Sequence, residues 1–542
     1  MLLGANTLGG AVVMQTAKPK KNLELYFQPS VEADSGFGYA SSTWVASAGT
    51  KRDLYYGKVT YQRRDVDHFR LPDSFEPRDV YHPQQKGDRL WSDSVDTKVT
   101  VIAGATPSSN LDIWATYVHQ DSDKGLSPPE TSQSYLIWEW PTWKRKSYTL
   151  NGVYSFRDFS FEALAYYDKY DNRMLEYLSM AHYERGRHRP PSDYDEYSTG
   201  GRFLAGWDIN DRNKLQASVI YKKEDHKGLR DDIETIHVNE DTWSLGMEYA
   251  VKPLQGFRFE AGYGFDALYP QKYWSRDDEF AKSIGLGYYV VKPRNIFLNK
   301  WQFGAFYELW DGHEIHLTYA RKNHFPNMSQ RYSTRLGDVL PNPNLGPEIA
   351  DHFEFGYKGR VTKNLLISPA VYYSIMDGKI VDVEIPNPQT PEVTVDYARN
   401  LDKLSFYGFE LSARLDLNRY FAAGLAFSVN GYKLNETQNK EVLVMSYYPK
   451  ITTSGYLLVT PIKKLEIMPR LEYVSSRYAY ISGREEDKIS SYWLANIRAK
   501  YDLRNDLALT AGINNIFDKL YEIRQHYPLA GRSYTFSLTF NY

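Results

Sequence analysis

Residues 533–542 read SYTFSLTFNY and decide the fold class. Every second residue from Tyr534 to Tyr542 is aromatic or leucine, and the residues between them are Ser, Thr or Asn. Side chains of a strand alternate between two faces, so this pattern predicts a strand with one apolar and one polar face. In a membrane β-barrel, such a last strand turns its apolar face to lipid and pairs to close the ring. We therefore interpret the whole chain as organised around that closure.

Alternating segments of about ten residues recur along the chain, which is the strand signal expected of such barrels. Clear examples, in which charged or polar residues stand opposite aromatic or aliphatic ones, are 55–62, 257–264, 352–358 and 492–500. Short polar connections alternate with mostly long ones. Predicted long connections include 65–95, 120–145, 170–196 and 224–241. This spacing predicts an all-β fold, a transmembrane antiparallel β-barrel of about 22 strands with long extracellular loops and short periplasmic turns.

Composition agrees with a membrane barrel. The 542 residues include 46 Tyr, 25 Phe and 12 Trp, and the Tyr ring suits a membrane interface because one end is apolar and the other polar. The sequence has no run of eighteen apolar residues, so no transmembrane helix is predicted. The net charge is −2 with both signs mixed along the chain, which does not indicate a nucleic-acid partner. With no cysteine, disulfides and thiolate metal sites are excluded.

Residues 342–359, NPNLGPEIADHFEFGYKG, resemble a motif of TonB-dependent outer-membrane receptors, Asn-Pro-x-Leu-x-Pro-Glu followed by a Glu-x-Gly-Tyr-Lys strand. Residues 399–417, 509–522 and 527–542 are similar to three further motifs, in the family's order. The opening residues 4–20 resemble the end of the family's plug domain, with Gly9 and Gly10 in its turn. The matching motif residues, which we expect to be mostly structural, are Asn342, Pro343, Leu345, Pro347, Glu348, Glu354, Gly356, Tyr357, Lys358, Asn400, Gly408, Glu410, Asn514, Asn515, Phe517, Asp518, Tyr521, Gly531 and Tyr542.

The resemblance implies active, TonB-coupled uptake of a scarce ligand across the outer membrane, most often a ferric siderophore or similar metal chelate. It implies a monomer, no cofactor and no enzyme activity, with outer-membrane lipid, lipopolysaccharide and the TonB complex as partners. Residues 1–21 then form the C-terminal remnant of the plug and a linker, and residues 22–542 the barrel. An outer-membrane protein needs an export signal, and none follows Met1, so we expect the chain to be a fragment or its start to be mis-set.

Two other functions fit parts of the pattern. One is a porin-like diffusion channel without a plug, against which the strand number argues, because an open ring of this size would leak. The other is a soluble all-β carbohydrate-active enzyme. A propeller of that class would show a repeat of about 40–50 residues, and the sequence has no such self-similarity.

Two segments carry candidate ligand contacts. Residues 135–146, YLIWEWPTWKRK, bring three Trp next to three cations, and residues 182–191, HYERGRHRPP, concentrate cations with aromatics. Aromatic rings stack on catechols, porphyrins or sugars, and cations suit anionic chelates. The alternatives are an interfacial aromatic girdle for the first segment and a solvated or lipopolysaccharide-contacting loop for the second. The candidates are Trp138, Trp140, Trp143, Lys144, Arg145, Tyr183, Arg185, Arg187 and His188.

Other polar clusters carry weaker hypotheses. Acidic residues at 193–196 and 231–232 resemble calcium-binding loop acids, but we favour solvated carboxylates. His324 and His526 are possible haem ligands without supporting sequence context. Pro343 and Pro347 are expected to fix the backbone at a junction between loop and strand, and Glu348 to accept hydrogen bonds from loop amides. No catalytic residue and no metal site is predicted.

Overall fold

The first and last strands of the ring pair with each other. In the computed structural model, β1 (Glu24–Ala33) lies antiparallel to β28 (Ser533–Asn541), with Phe27 opposite Phe540. The amide of Tyr542 donates to the carbonyl of Leu25 at 2.8 Å, which extends the pairing to the last residue. The barrel is therefore closed, as residues 533–542 predict.

The structure describes residues 1–8, 10, 16–77, 83–130, 137–276, 289–291, 293–333, 339–388, 391–434, 444–480 and 485–542. Within these residues, twenty-two strands form the ring, each antiparallel to its neighbours. They are β1, β2 (Tyr39–Lys51), β3 (Tyr55–Val66), β4 (Ser94–Ser108), β5 (Leu111–Leu126), β6 (Ile137–Phe156), β7 (Phe159–Tyr177), β8 (Ser192–Asn210), β9 (Asn213–Arg230), β10 (Ile233–Leu254), β11 (Phe257–Ser275), β13 (Ile296–Trp310), β14 (His313–His324), β16 (Glu348–Thr362), β17 (Leu365–Asp377), β20 (Leu404–Asn418), β21 (Phe421–Leu434), β22 (Ile451–Ile462), β23 (Leu465–Val474), β26 (Tyr492–Arg504), β27 (Leu507–Asn514) and β28.

Short elements decorate the end of the ring that carries the longer loops. Strand β12 (Tyr289–Val291) pairs antiparallel with the end of β11. The remaining short strands are β15 (Val339–Leu340), β18 (Ile380–Pro386), β19 (Thr394–Asn400), β24 (Arg477–Tyr478) and β25 (Lys488–Ile489). Two helices, α1 (Met180–Glu184) and α2 (Met328–Tyr332), have five residues each. Among the described residues, no helix has the length and apolar character needed to cross a membrane.

The outer face of the ring is apolar and the inner face polar. In β10, the side chains of Trp243, Leu245 and Met247 are exposed on the outside, while the intervening Ser244 is buried on the inside. In β28, Phe536 is 48% exposed, as expected for a side chain whose partner is lipid. The period-two alternation therefore separates lipid-facing apolar residues from lumen-facing polar residues, as the sequence predicts.

The connections follow the predicted alternation, with three corrections. The predicted loop over 170–196 is too long, because β7 runs to Tyr177 and β8 begins at Ser192. The predicted long loop over 224–241 is wrong, because β9 and β10 continue their pairing to Arg230 and Ile233 and leave a two-residue turn. Both turn residues, Asp231 and Asp232, have positive φ, which a turn of this hairpin type requires. The prediction of a loop over 120–145 is also wrong in extent, since β5 runs to Leu126 and β6 begins at Ile137.

The segment of residues 1–8 lies inside the ring. The carbonyl of Gly4 accepts from Lys300 Nζ at 2.6 Å, and the amide of Ala5 donates to Ser244 Oγ at 3.1 Å. Asn6 Oδ1 accepts from the amide of Phe325, which follows β14. Residues 1–8 and 10 contain no strand, and positions 9 and 11–15 of the predicted plug strand lie outside the described residues.

Candidate functional site

A cavity of about 1100 Å³ lies inside the barrel against strands β6 to β10. Residues 3–6 form part of its lining, and the segment after β14 borders it with Phe325. Ligand pockets of proteins are typically about 300–1,000 Å³. The cavity is therefore large enough for a small-molecule ligand with several ring systems.

One side of the cavity is a cluster of aromatic rings. Trp140 and Trp143 meet edge to face with centroids 4.8 Å apart, and Trp143 meets Tyr170 of β7 at 5.3 Å. A bulge between Glu139 and Thr142 changes the alternation of β6, which lets Trp140 and Trp143 line the same cavity. Such a surface stacks on flat aromatic groups.

Cations border this aromatic cluster. The ammonium of Lys124 lies 3.6 Å from the centre of the Trp143 ring, in the geometry of a cation–π contact. Arg145 contacts Asp168 at 3.3 Å, and His226 contacts Glu196 at 2.6 Å, both within the cavity lining. The charges are thus largely paired, and a bound anion would have to compete with the carboxylates for these cations. The arrangement suits non-covalent recognition of an aromatic, partly anionic molecule.

The predicted motif 342–348 joins three segments at the outer end of β16. The side chain of Asn400 accepts from the amide of Gly346 at 2.7 Å and donates to the carbonyls of Gly346 and Gly378 at 2.9 and 2.8 Å. Glu348 Oε1 accepts from the amide of Ile380 at 2.8 Å, and Asn342 donates to the carbonyl of Ala398. These contacts favour a structural role for the motif.

The last motif forms a second such junction. Asn515 is buried and accepts from the amide of Lys519, while its amide group donates to the carbonyls of residues 519 and 530. Asp518 accepts from the amides of Asp73 and Arg532, which ties the loop after β3 to the loop before β28. A Cβ at Gly531 would lie 2.5 Å from the Asp518 carboxylate, so this position has room only for glycine.

Residues 28–516 match a family model described as "TonB dependent receptor-like, beta-barrel". The chain belongs to this family. As a TonB-dependent receptor barrel, it is a multi-pass β-barrel of the outer membrane.

Curated relatives of this receptor barrel include transporters of different ligands. The ferripyoverdine receptor of Pseudomonas aeruginosa is 23% identical over 227 residues, which cover 40% of this chain and 26% of that protein. The vitamin B12 transporter BtuB of Photobacterium profundum is 23% identical over 247 residues, 45% of this chain and 38% of that protein. The matched regions thus span well under half of either relative.

Solved structures show the same fold at low identity. The copper transporter OprC superposes with a TM-score of 0.81 at 16% identity, covering 100% of this chain and 84% of that one. The siderophore receptor PiuA from Acinetobacter baumannii gives a TM-score of 0.75 at 13% identity, covering 99% and 84%.

The first group of predicted contact residues lies on a strand of the receptor barrel, and the prediction of a loop is wrong for it. Trp138, Trp140, Trp143, Lys144 and Arg145 all belong to β6. The cavity lining includes Trp140, Trp143 and Arg145, whereas Trp138 and Lys144 are not part of it. Lys144 alternates to the other face, where its nearest carboxylate is Asp121 at 3.9 Å.

The second predicted group lies beside the cavity and does not line its described part. Tyr183 belongs to α1 and packs edge to face on Tyr177 at 5.0 Å, as does His188 at 5.9 Å. Burial raises the pKa of the Tyr183 hydroxyl, and a hydrogen bond to Glu139 raises it further, so the hydroxyl stays protonated. Arg185 and Arg187 are exposed. Among the described residues, the structure shows no ring contact or hydrogen bond between this group and Trp140 or Trp143.

Most residues of the cavity lining do not appear among the sequence candidates. Examples are Tyr170, Tyr194 and His226, which line the cavity from β7, β8 and β9. All three fall in predicted long loops, but each stands on an extended strand. Continuing the period-two pattern of 159–170 outward would have identified Tyr170 as inward-facing.

The loop acids and histidines have ordinary positions. The predicted acidic group at 193–196 lies on β8, where Asp193 pairs with Arg173 at 2.7 Å and Asp195 pairs with Lys169. His324 ends β14 beside Glu348 at 3.4 Å. Motif residues on strands include Gly356 and Tyr357 of β16, Gly408 and Glu410 of β20 and Asn514 of β27, while Phe517 is exposed.

Replacing Asn400 with Ala is expected to destabilise the outer end of β16 by about 1–3 kcal/mol, because it leaves half-buried backbone groups of residues 346 and 378 without their partner. Hydrogen exchange of the receptor barrel in detergent, read by mass spectrometry, should show faster exchange at Gly346 and in β18. Asn342→Ala is the matched control, since a single hydrogen bond is recorded for its side chain. Equal exchange in the two variants would contradict the role assigned to Asn400.

Proposed function

We propose that this receptor barrel takes up a ferric siderophore or a similar scarce metal chelate in a TonB-coupled transport cycle. The observation that carries the proposal is the ring cluster of Trp140, Trp143 and Tyr170 in the inner cavity. Arg145 lies in the same lining, and Lys124 contacts the ring of Trp143. Aromatic faces stack on catecholate or similar rings, and the two cations suit an anionic complex. Relatives and structural neighbours named as siderophore receptors support this ligand class.

We also propose that residues 1–21 are the closing part of a plug and that residues 22–542 are the barrel. Support comes from the position of residues 1–8 within the ring and from their hydrogen bonds to Lys300 and Ser244. A plug in this place would block free diffusion. Family membership and this placement favour uptake over an open diffusion channel and over a soluble all-β enzyme.

The double variant Trp140→Leu/Trp143→Leu is expected to bind a ferric chelate about 5–150-fold more weakly than the parent chain. Each lost aromatic contact is worth about 0.5–1.5 kcal/mol, and about 1.4 kcal/mol corresponds to tenfold in affinity. Equilibrium dialysis of the detergent-solubilised barrel against a ferric tricatecholate, a ferric trihydroxamate and cyanocobalamin measures the effect.

The control is Trp207→Leu/Trp493→Leu, which removes two Trp from the outer face, where both rings are exposed. This control is expected to bind like the parent. Binding of cyanocobalamin alone would replace the proposed ligand class. Loss of affinity in the control, or none in the cavity variant, would show that the Trp140–Trp143 cluster is not the contact surface.

A further inference from the structure

The side chains of Asp34, His68 and Asp88 converge at the outer end of the barrel, away from the inner cavity. Their nearest ligand atoms all lie within 4.8 Å of one another. Asp34 follows β1, and the other two belong to the loop between β3 and β4. One imidazole nitrogen with two carboxylate oxygens is a donor set that divalent transition metals accept.

The two distances from the imidazole nitrogen to the carboxylate oxygens match those between neighbouring ligands of one ion. His68 Nε2 lies 3.3 Å from Asp34 Oδ2 and 3.4 Å from Asp88 Oδ1. Direct charge-assisted N–H···O bonds are shorter, about 2.7–2.9 Å. A tetrahedral zinc-class ion with bonds of about 2.0–2.1 Å places neighbouring ligand atoms about 3.3–3.4 Å apart.

The imidazole is oriented for this role by a fourth residue. His68 Nδ1 lies 2.8 Å from Asp67 Oδ2. In the tautomer with hydrogen on Nδ1, that nitrogen donates to Asp67, and the Nε2 lone pair is directed at Asp34 and Asp88. Metal-binding histidines almost always donate their second ring nitrogen to a carboxylate or carbonyl in this way. Asp67 is therefore a positioning residue and not a ligand.

The backbone holds the three groups in place. Asp34 Oδ1 accepts from the amides of Gly36 and Gly38, both at 2.8 Å, which leaves Oδ2 for the centre of the cluster. The segments around His68 and Asp88 are joined by the antiparallel bridge between Arg70 and Asp88. This order differs from that of freely rotating surface acids.

Burial and charge define one open side. The side chains of Asp34 and His68 are 7% and 13% exposed, and that of Asp88 is 55% exposed, so an ion would enter past Asp88. The guanidinium of Arg70 stands 3.8 Å from Asp88 Oδ1 and offsets part of the charge of the three surrounding carboxylates. A water molecule or a ligand group can occupy the remaining coordination position.

We propose that Asp34 Oδ2, His68 Nε2 and Asp88 Oδ1 form a binding site for one divalent ion such as zinc. The ion joins the loop after β3 to the loop after β1. The ion in this proposal is separate from any chelate in the inner cavity. The site therefore stands or falls independently of the proposed transport function.

The test is zinc binding by the chelator-stripped full chain in detergent, measured by competition with a chromophoric chelator. We expect one zinc ion per chain, with affinity at least tenfold lower in His68→Ala and in Asp88→Asn. Asp67→Asn is expected to weaken binding about 10–100-fold, as removal of the partner of a metal-bound imidazole does. Cobalt in place of zinc should give the visible absorption of tetrahedral coordination.

The matched control is His237→Ala, because His237 also lies between carboxylates, at 3.1 Å from Asp225 and 3.4 Å from Glu234. This control should bind zinc like the parent. Asp88→Asn changes an exposed side chain, and heat-dependent gel mobility verifies that the barrel is intact. Absence of zinc binding by the parent, or equal binding by parent and Asp88→Asn, would show an ion-pair cluster only and overturn the proposal.

Discussion

Replacing Lys300 with Met is expected to lower the stability of the barrel by about 3–5 kcal/mol, because it leaves a buried carboxylate without its cation. Lys300 of β13 lies 2.8 Å from Asp266 of β11, with side chains 2% and 0% exposed, and it also donates to the carbonyl of Gly4. The loss should appear as a lower urea midpoint for refolded barrel in lipid vesicles, followed by heat-dependent gel mobility.

The double variant Lys300→Met/Asp266→Leu distinguishes the effect of the unpaired charge from the effect of losing the contact between Lys300 and Gly4. Replacing both members with apolar side chains removes the unpaired charge, so most of the lost stability should return. A double variant as unstable as Lys300→Met would mean that the contact with Gly4, and not the ion pair, determines the effect.

Replacing Phe536 with Lys is expected to destabilise the barrel by about 2–4 kcal/mol if the side chain lies near the bilayer midplane, because the ammonium would face hydrocarbon. Phe536 occupies the middle of the closing strand, on its apolar face, opposite Val31 of β1. Barrel assembly into vesicles, followed by the fraction that resists unfolding in cold detergent, measures the change.

Ser537→Lys is the control for this experiment. Ser537 is the next residue of the same strand, pairs with Ser30 and Thr510, and points into the lumen. The same charge on the wet face is expected to change stability by less than about 1 kcal/mol. Similar losses at both positions would contradict the assignment of the two faces.

The closure and the short turns could be predicted because their causes are local. Period-two alternation in residues 533–542 and turn residues such as those at 210–213 depend on neighbours along the chain. The same locality explains the corrected loops. Above the lipid, both faces of a strand contact water, so the outward-facing residues there need not be apolar. The alternation of apolar and polar residues is therefore lost in 224–230, and the sequence predicts a loop although the segment continues β9.

The candidate site was less accessible to sequence reasoning because it depends on residues far apart in the chain. Trp140 and Trp143 are recognisable from composition, but their shared face results from a bulge whose position the pattern does not reveal. His68 can be recognised as a candidate metal ligand only once it lies beside Asp34. The fold brings together the loop between β1 and β2, which carries Asp34, and the loop after β3, which carries His68.

The unequal strand lengths have a consequence for the shape of the mouth. Strand β10 has 22 residues and β27 has 8, and about 14 additional residues at about 3.3 Å each correspond to about 46 Å along the strand. The hydrocarbon slab has one thickness all round, so the surplus stands above it on the flank that carries the aromatic cluster. The rim is consequently higher on the side of β6 to β10 than on the side of β27, and Trp140 and Trp143 lie on the inner surface of that higher wall.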